Sequence, residues 1–172
     1  IKVLRQMGDP VGDYCDLYVE ILKRNMPIAS IRASQALGMA GEKASPQIPE
    51  IVELLLDNNS RVRGLAASTL GRLGENAKLA LPKLEELMTH SNPVIRSSAL
   101  KALGEMGPVA QSQVENIIVL LADSDRDVRA DAAYALGEID NLNDTQLSQL
   151  ASLLDDKDRK VRYHAAMAMG QI

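Results

Sequence analysis

Residues 125–140 read DRDVRADAAYALGEID, and the same phrase returns at intervals of 33 residues. Downstream it is DRKVRYHAAMAMGQI (158–172); upstream it is NPVIRSSALKALGEMG (92–107) and NSRVRGLAASTLGRLG (59–74). Gly38, Gly71, Gly104, Gly137 and Gly170 set the register without slippage, and Leu37, Leu70, Leu103, Leu136 and Met169 stand in the same phase. Ala33, Ala66, Ala99, Ala132 and Ala165 form a third matched column. A period in this range is the mark of stacked supersecondary units, each too small to bury its own apolar face.

Each period predicts two helices. The second starts at an N-cap column of Asn59, Asn92, Asp125 and Asp158, whose side chains can accept from first-turn N–H groups. Pro93, and Pro27 in phase with it in the first repeat, suit the opening helical position. The glycines that close the phrase, Gly71 and Gly74 in the second repeat, are expected to stop the helix. The first helix of each repeat carries an apolar stripe at 3.6-residue spacing: Ile48, Ile51, Leu54 and Leu55, then Leu81, Leu84, Leu87 and Met88. Val114, Ile117, Leu120 and Leu121, and Leu147, Leu150, Leu153 and Leu154, continue it. Backward phasing yields Cys15, Tyr18, Ile21 and Leu22. No stretch alternates with a strand's period of two.

Composition agrees with an all-helical core. The 172 residues include no Phe or Trp and only four Tyr, so the interior must be Leu, Ile, Val, Ala and Met. The small in-phase alanines let neighbouring helices approach closely; a leucine there overpacks by roughly 1–3 kcal/mol. With 19 basic and 23 acidic residues the chain lacks the basic balance of a nucleic-acid binder. A single cysteine permits no internal disulfide, which points to a reducing, cytoplasmic setting. No apolar run approaches the length of about 20 residues that spans a bilayer.

Asp57, Asp123 and Asp156 fall in the inter-helix turns, six residues before Arg63, Arg129 and Arg162, with Arg96 in the same column. The expected arrangement is a structural ladder: the carboxylate caps turn N–H groups while the five-donor guanidinium bridges to the neighbouring repeat. An anion-binding row is the functional alternative for the same residues.

At these residues the chain resembles the HEAT repeat family. The pattern of Pro, turn Asp and Val-Arg opening the second helix reads Pro49, Asp57, Val62-Arg63 in one repeat and Pro82, Ile95-Arg96 in the next, where His90 replaces the Asp. Asp123, Val128-Arg129 and Asp156, Val161-Arg162 follow, with Glu115 and Ser148 in the Pro column. The wording looks most like the short, Ala-rich bacterial and archaeal repeats, also found in phycobilisome lyases. The resemblance implies an all-α fold, a right-handed α-α superhelix or HEAT-like solenoid of about five two-helix repeats. Their expected bounds are 9–41, 42–74, 75–107, 108–140 and 141–172. Leu4 and Gly8, in phase with Leu37 and Gly41, make 1–8 the end of a preceding repeat, as in a window from a longer array. The first repeat departs from the pattern, with Ser30 in the Arg column and Arg24 in the Asp column.

In that family the second helices line the concave side, so the residues free to vary there form the candidate partner-binding face. They are Ile28, Arg32, Gln35 and Met39; Arg61, Leu65, Ser68 and Arg72; Val94, Ser98, Lys101 and Glu105; Asp127, Asp131, Tyr134 and Glu138; and Lys160, His164, Met167 and Gln171. Asp127, Asp131 and Glu138 around Tyr134 predict a partner with a basic part near the fourth repeat. Reversing those three charges together is expected to abolish capture without loss of stability.

Catalytic chemistry is not visible. Cys15 lies in a buried stripe with no sequence-adjacent histidine, and His90 and His164 are isolated, His90 as a local hydrogen-bonding group and His164 on an exposed face. The resemblance to deoxyhypusine hydroxylase, a HEAT-like enzyme holding iron on His-Glu pairs, stops at these histidines, which precede Ser91 and Ala165. The expectation is a non-catalytic scaffold or adaptor binding a polypeptide, with no metal, cofactor, nucleic-acid or membrane partner. Flanking repeats of the same chain are a further possible contact. The alternative, carried by resemblance alone, is a phycobilin lyase-like or chromophore-handling accessory protein.

Overall fold

The structure, a computed structural model, describes residues 14–172; the phased Leu4 and Gly8 lie outside them. The described residues fall into two compact units that divide between Ala80 and Leu81. In the N-terminal unit the helices are α1 (Cys15–Lys23), α2 (Pro27–Ala40), α3 (Ile48–Glu53) and α4 (Ser60–Leu73). The C-terminal unit holds α5 (Leu81–Met88), α6 (Pro93–Met106), α7 (Val114–Val119), α8 (Arg126–Ile139), α9 (Asp144–Ala151) and α10 (Arg159–Gln171). No strand occurs among the described residues.

The even-numbered helices are the regular element. Asn59, Asn92, Asp125 and Asp158 cap α4, α6, α8 and α10, each accepting the backbone N–H two residues on. The closing glycines divide into two roles, which corrects the expectation that both stop the helix. Gly74 and Gly107 end α4 and α6 at φ +55° and +56°, with ψ near −130°, a conformation open to glycine. Gly71 and Gly104, three residues earlier, are still helical. In the fourth repeat Asp140 takes the terminal place at φ 62°, and its carboxylate accepts the Asn141 N–H at 2.6 Å.

The first helix of a repeat is less regular than its apolar stripe predicts. In the second and fourth repeats only six residues are α-helical, Ile48–Glu53 and Val114–Val119, between 3₁₀ segments at Gly41–Gln47 and Leu54–Leu56, and at Gly107–Gln113 and Leu120–Ala122. The tighter 3₁₀ winding steers the chain into an extended turn Asp, with ψ 143° at Asp57 and 146° at Asp123. Ile48, Ile51, Leu54 and Leu55 are buried as the stripe requires, and so are Leu84, Leu87, Met88, Val114, Ile117, Leu121, Leu150 and Leu153. Leu154 departs from its stripe and is 41% exposed.

In the C-terminal unit α6 packs on α8 and α8 on α10; in the N-terminal unit α2 packs on α1 and α4. Ala99, Ala132 and Ala165 are fully buried at these contacts. The glycine column brings the backbones together: a Cβ built on Gly137 would lie 2.7 Å from the Ala168 Cβ, and one on Gly38 would lie 2.5 Å from the Arg72 Cβ. Ser30, the odd member of the Arg column, is buried and donates to the Ile21 carbonyl at 2.9 Å.

Candidate functional site

The arginine column makes one local contact in every described repeat that has it. Nη1 of Arg63, Arg96, Arg129 and Arg162 donates at 2.8 Å to the carbonyl six residues back, that of Asp57, His90, Asp123 and Asp156 in turn. A second, longer bond reaches the carbonyl five back, so the guanidinium staples the start of the second helix to its turn. The other edge differs between repeats. Arg96 grips Asp123 through Nε and Nη2 at 2.9 and 2.8 Å, and Arg129 grips Asp156 at 2.8 and 3.1 Å. These forks join consecutive repeats, and their side chains are no more than 13% exposed. The turn carboxylates each take a turn N–H: Asp57 from Asn59, and the two fork acceptors Asp123 from Asp125 and Asp156 from Asp158.

Electrostatics follow from these contacts. Burial works to raise the Asp123 carboxyl, yet the Arg96 fork and the Asp125 N–H hold it below the usual carboxylate range. Asp156 is likewise lowered by its hydrogen bonds from Arg129, and Arg129 is raised in return. Within the C-terminal unit the two forks tie each turn to the next.

The variable face of the C-terminal unit is where charge and aromatic groups meet. Tyr134 of α8 lies over Gly104 of α6, where an added Cβ would come within 2.7 Å of Cε1, so the missing side chain makes room for the ring. The half-buried phenol is pushed up to about 12, first by burial and then by the fields of Glu105, Glu138 and Asp131. His164 of α10 stands edge-on to Tyr134 at 6.3 Å and to Tyr163 at 5.5 Å. Burial lowers its pKa despite the pull of Asp131, which keeps the ring neutral at pH 7. Met167 and Val94 are exposed at 50% and 45%.

The acids there are not equivalent, which corrects the expectation of three exposed charges. Asp131 is only 3% exposed; it accepts the Ser97 hydroxyl and lies 3.3 Å from Lys101 Nζ. Reversing it would put an ammonium or guanidinium into a site built around a carboxylate, so it belongs to the helix contact and cannot be altered as a free surface charge. Asp127 pairs with Lys160 at 2.5 Å. Glu138 accepts from the Gln171 side-chain amide at 3.0 Å. His164, expected on the surface, is half-buried. Ser97 was not singled out by the sequence, because its column (Ile31, Gly64, Ser97, Ala130, Tyr163) shows no shared chemistry.

In the N-terminal unit, Arg32 is exposed and donates to Gln35 at 3.0 Å, and Met39 is 59% exposed. Arg61 and Arg72 are exposed; Leu65 is half-buried, and its carbonyl accepts the Thr69 hydroxyl. Cys15 is buried at 3% exposure, and His90 Nδ1 accepts the Asn92 N–H at 3.0 Å. Among the described residues no group of three or more His, Cys, Asp or Glu is placed to hold a metal ion, and no helix is long and apolar enough to cross a membrane.

Comparison with known proteins agrees with this architecture. No curated protein matches the chain. A chain from the complex of CpcE and CpcF of phycocyanin lyase from Nostoc sp. PCC7120 superposes with a TM-score of 0.71 at 23% identity, over 91% of this chain and 98% of that one. A designed armadillo repeat protein in complex with the peptide (KR)4 superposes at 0.57 and 16% identity, over 99% and 84%. An engineered protein reaches 0.54 at 26% identity, over 92% and 80%. The family described as HEAT repeats matches residues 16–104 and 114–172, most of the sequence, and the chain belongs to it.

Proposed function

We propose that this chain is a non-catalytic interaction scaffold that binds a polypeptide partner along the variable face of its second helices. The observation that supports this most is the contrast within α6, α8 and α10. Their in-phase Ala99, Ala132 and Ala165, with Leu103 and Leu136, are buried, whereas the variable column leaves Val94, Tyr134 and Met167 partly or half exposed beside charged groups. Aromatic and Met side chains set among polar neighbours are the composition of recognition surfaces.

Site-specific photo-crosslinking tests the reading without disturbing the fold. A photoreactive residue at Met167 or Val94 should give a discrete crosslinked protein in native lysate, and one at Val119, which is 72% exposed on α7, should not. Crosslinks at Val119 alone, or equally at all three, would overturn it. A second reading draws on the likeness to the phycocyanin lyase chain: this protein handles a bilin. Mixing it with a bilin and an acceptor protein, and following visible absorbance, tests that reading; an unchanged spectrum removes it.

A further inference from the structure

The variable face of the C-terminal unit carries four carboxylates, Glu105, Asp127, Asp131 and Glu138, and two ammonium groups, Lys101 and Lys160. The ammonium groups are already engaged, Lys160 with Asp127 and Lys101 with Asp131. Glu105 and Glu138 form no ion pair among the described residues: Glu138 accepts from the neutral Gln171 amide, and Glu105 directly follows the Gly104 on which the Tyr134 ring rests. Four negative charges less two positive ones leave the face at −2, and both uncompensated charges belong to the surroundings of one aromatic ring: Glu105 follows Gly104 beneath it, and Glu138 is one helical turn along α8 from Tyr134. His164 beside that ring is held neutral, so it cancels neither. The ring is seated on the Gly104 backbone and edge-on to His164, an ordered platform that is only half-buried.

On the reading that this face binds a polypeptide, we infer that its occupant is a basic segment. One cationic side chain is held at Tyr134, with Glu105 and Glu138 in its surroundings. A guanidinium or ammonium near a tyrosine face gains from the ring quadrupole, and most where it is partly desolvated. These carboxylates add charge-assisted hydrogen bonds without giving up an existing ion pair. Of the three acids that charge counting along the sequence favours, this keeps Glu138 and places recognition away from Asp127 and Asp131. A cation there would have to displace Lys160 or Lys101.

The test uses the whole protein and three octapeptides: alternating lysine and arginine, alternating serine and glutamine, and alternating aspartate and glutamate. Binding is followed by calorimetry at about 0.1 M salt, where the screening length is ~10 Å. The basic peptide alone should bind, and Glu105→Gln with Glu138→Gln should weaken it about tenfold or more. Glu53→Gln with Glu85→Gln removes the same net charge from exposed positions elsewhere and should leave the affinity unchanged. An equal loss in that control variant would overturn the inference, because attraction to the overall charge of −4 would then account for binding. Equal affinity for the serine–glutamine peptide would overturn the cationic occupant and leave polypeptide binding standing. Failure of the basic peptide to bind would also overturn the inference, while a Met167 crosslink in lysate would still support the broader reading.

Discussion

Replacing Gly137 by alanine is the sharpest probe of how the repeats are held together. On an isolated helix the change is favourable by about 1 kcal/mol, since glycine is the poorer helix former. In this fold the new Cβ would meet the Ala168 Cβ at 2.7 Å and its Cα at 2.8 Å. Ordinary contact begins at 3.4 Å, so α8 and α10 would have to separate by roughly 0.7 Å, the difference from 2.7 Å. Neither atom is the end of a flexible side chain, so the strain falls on the helix axes. Overpacking of this kind costs about 1–3 kcal/mol. Set against the helix gain, Gly137→Ala should lie between neutral and ~2 kcal/mol less stable. Gly64→Ala is the internal reference: its Cβ meets nothing within 4 Å, so only the helix gain remains and stability should rise by up to ~1 kcal/mol. In a chain of this size 1 kcal/mol moves Tm by about 2–4 °C, so thermal melts followed by circular dichroism resolve the two variants easily. If both substitutions stabilise the protein equally, close helix approach is not what the glycine column serves, and the packing argument fails.

Two further predictions concern the ladder. Arg129→Ala strips the partner from a part-buried carboxylate and should cost about 2 kcal/mol in urea denaturation, whereas Arg162→Ala, which loses the same turn staple but no carboxylate contact among the described residues, should cost about 1 kcal/mol; equal losses would show that the inter-repeat fork contributes nothing. The Asp156 carboxyl is lowered in the folded state, so its contribution is complete above the ordinary Asp value of about 3.9 and disappears as pH falls through the lowered one. The stability gap between the wild type and Asp156→Asn should therefore be full at neutral pH and narrow steadily below about pH 4, and a gap that does not change with pH there would refute the pairing.

The sequence by itself determined the helical pairs, their 33-residue register and the N-cap columns, because each is written in short-range terms: a capping side chain two residues from the N–H it accepts, and an apolar stripe at the helical period. The link from Arg96 to Asp123 was legible too, since both ends recur in phase. Tertiary structure alone decided which members of the variable face are free. Asp127 and Asp131 sit one turn apart on α8 and look alike in sequence, but Ser97 and Lys101 of α6 close over Asp131 and leave Asp127 half-exposed. The glycine column likewise reads as a set of helix stops until the neighbouring helix is in place. The physical reason is distance: a helix encodes its own period and caps, whereas the burial of a side chain on its flank depends on how near another helix comes, and that is set by residues more than thirty positions away.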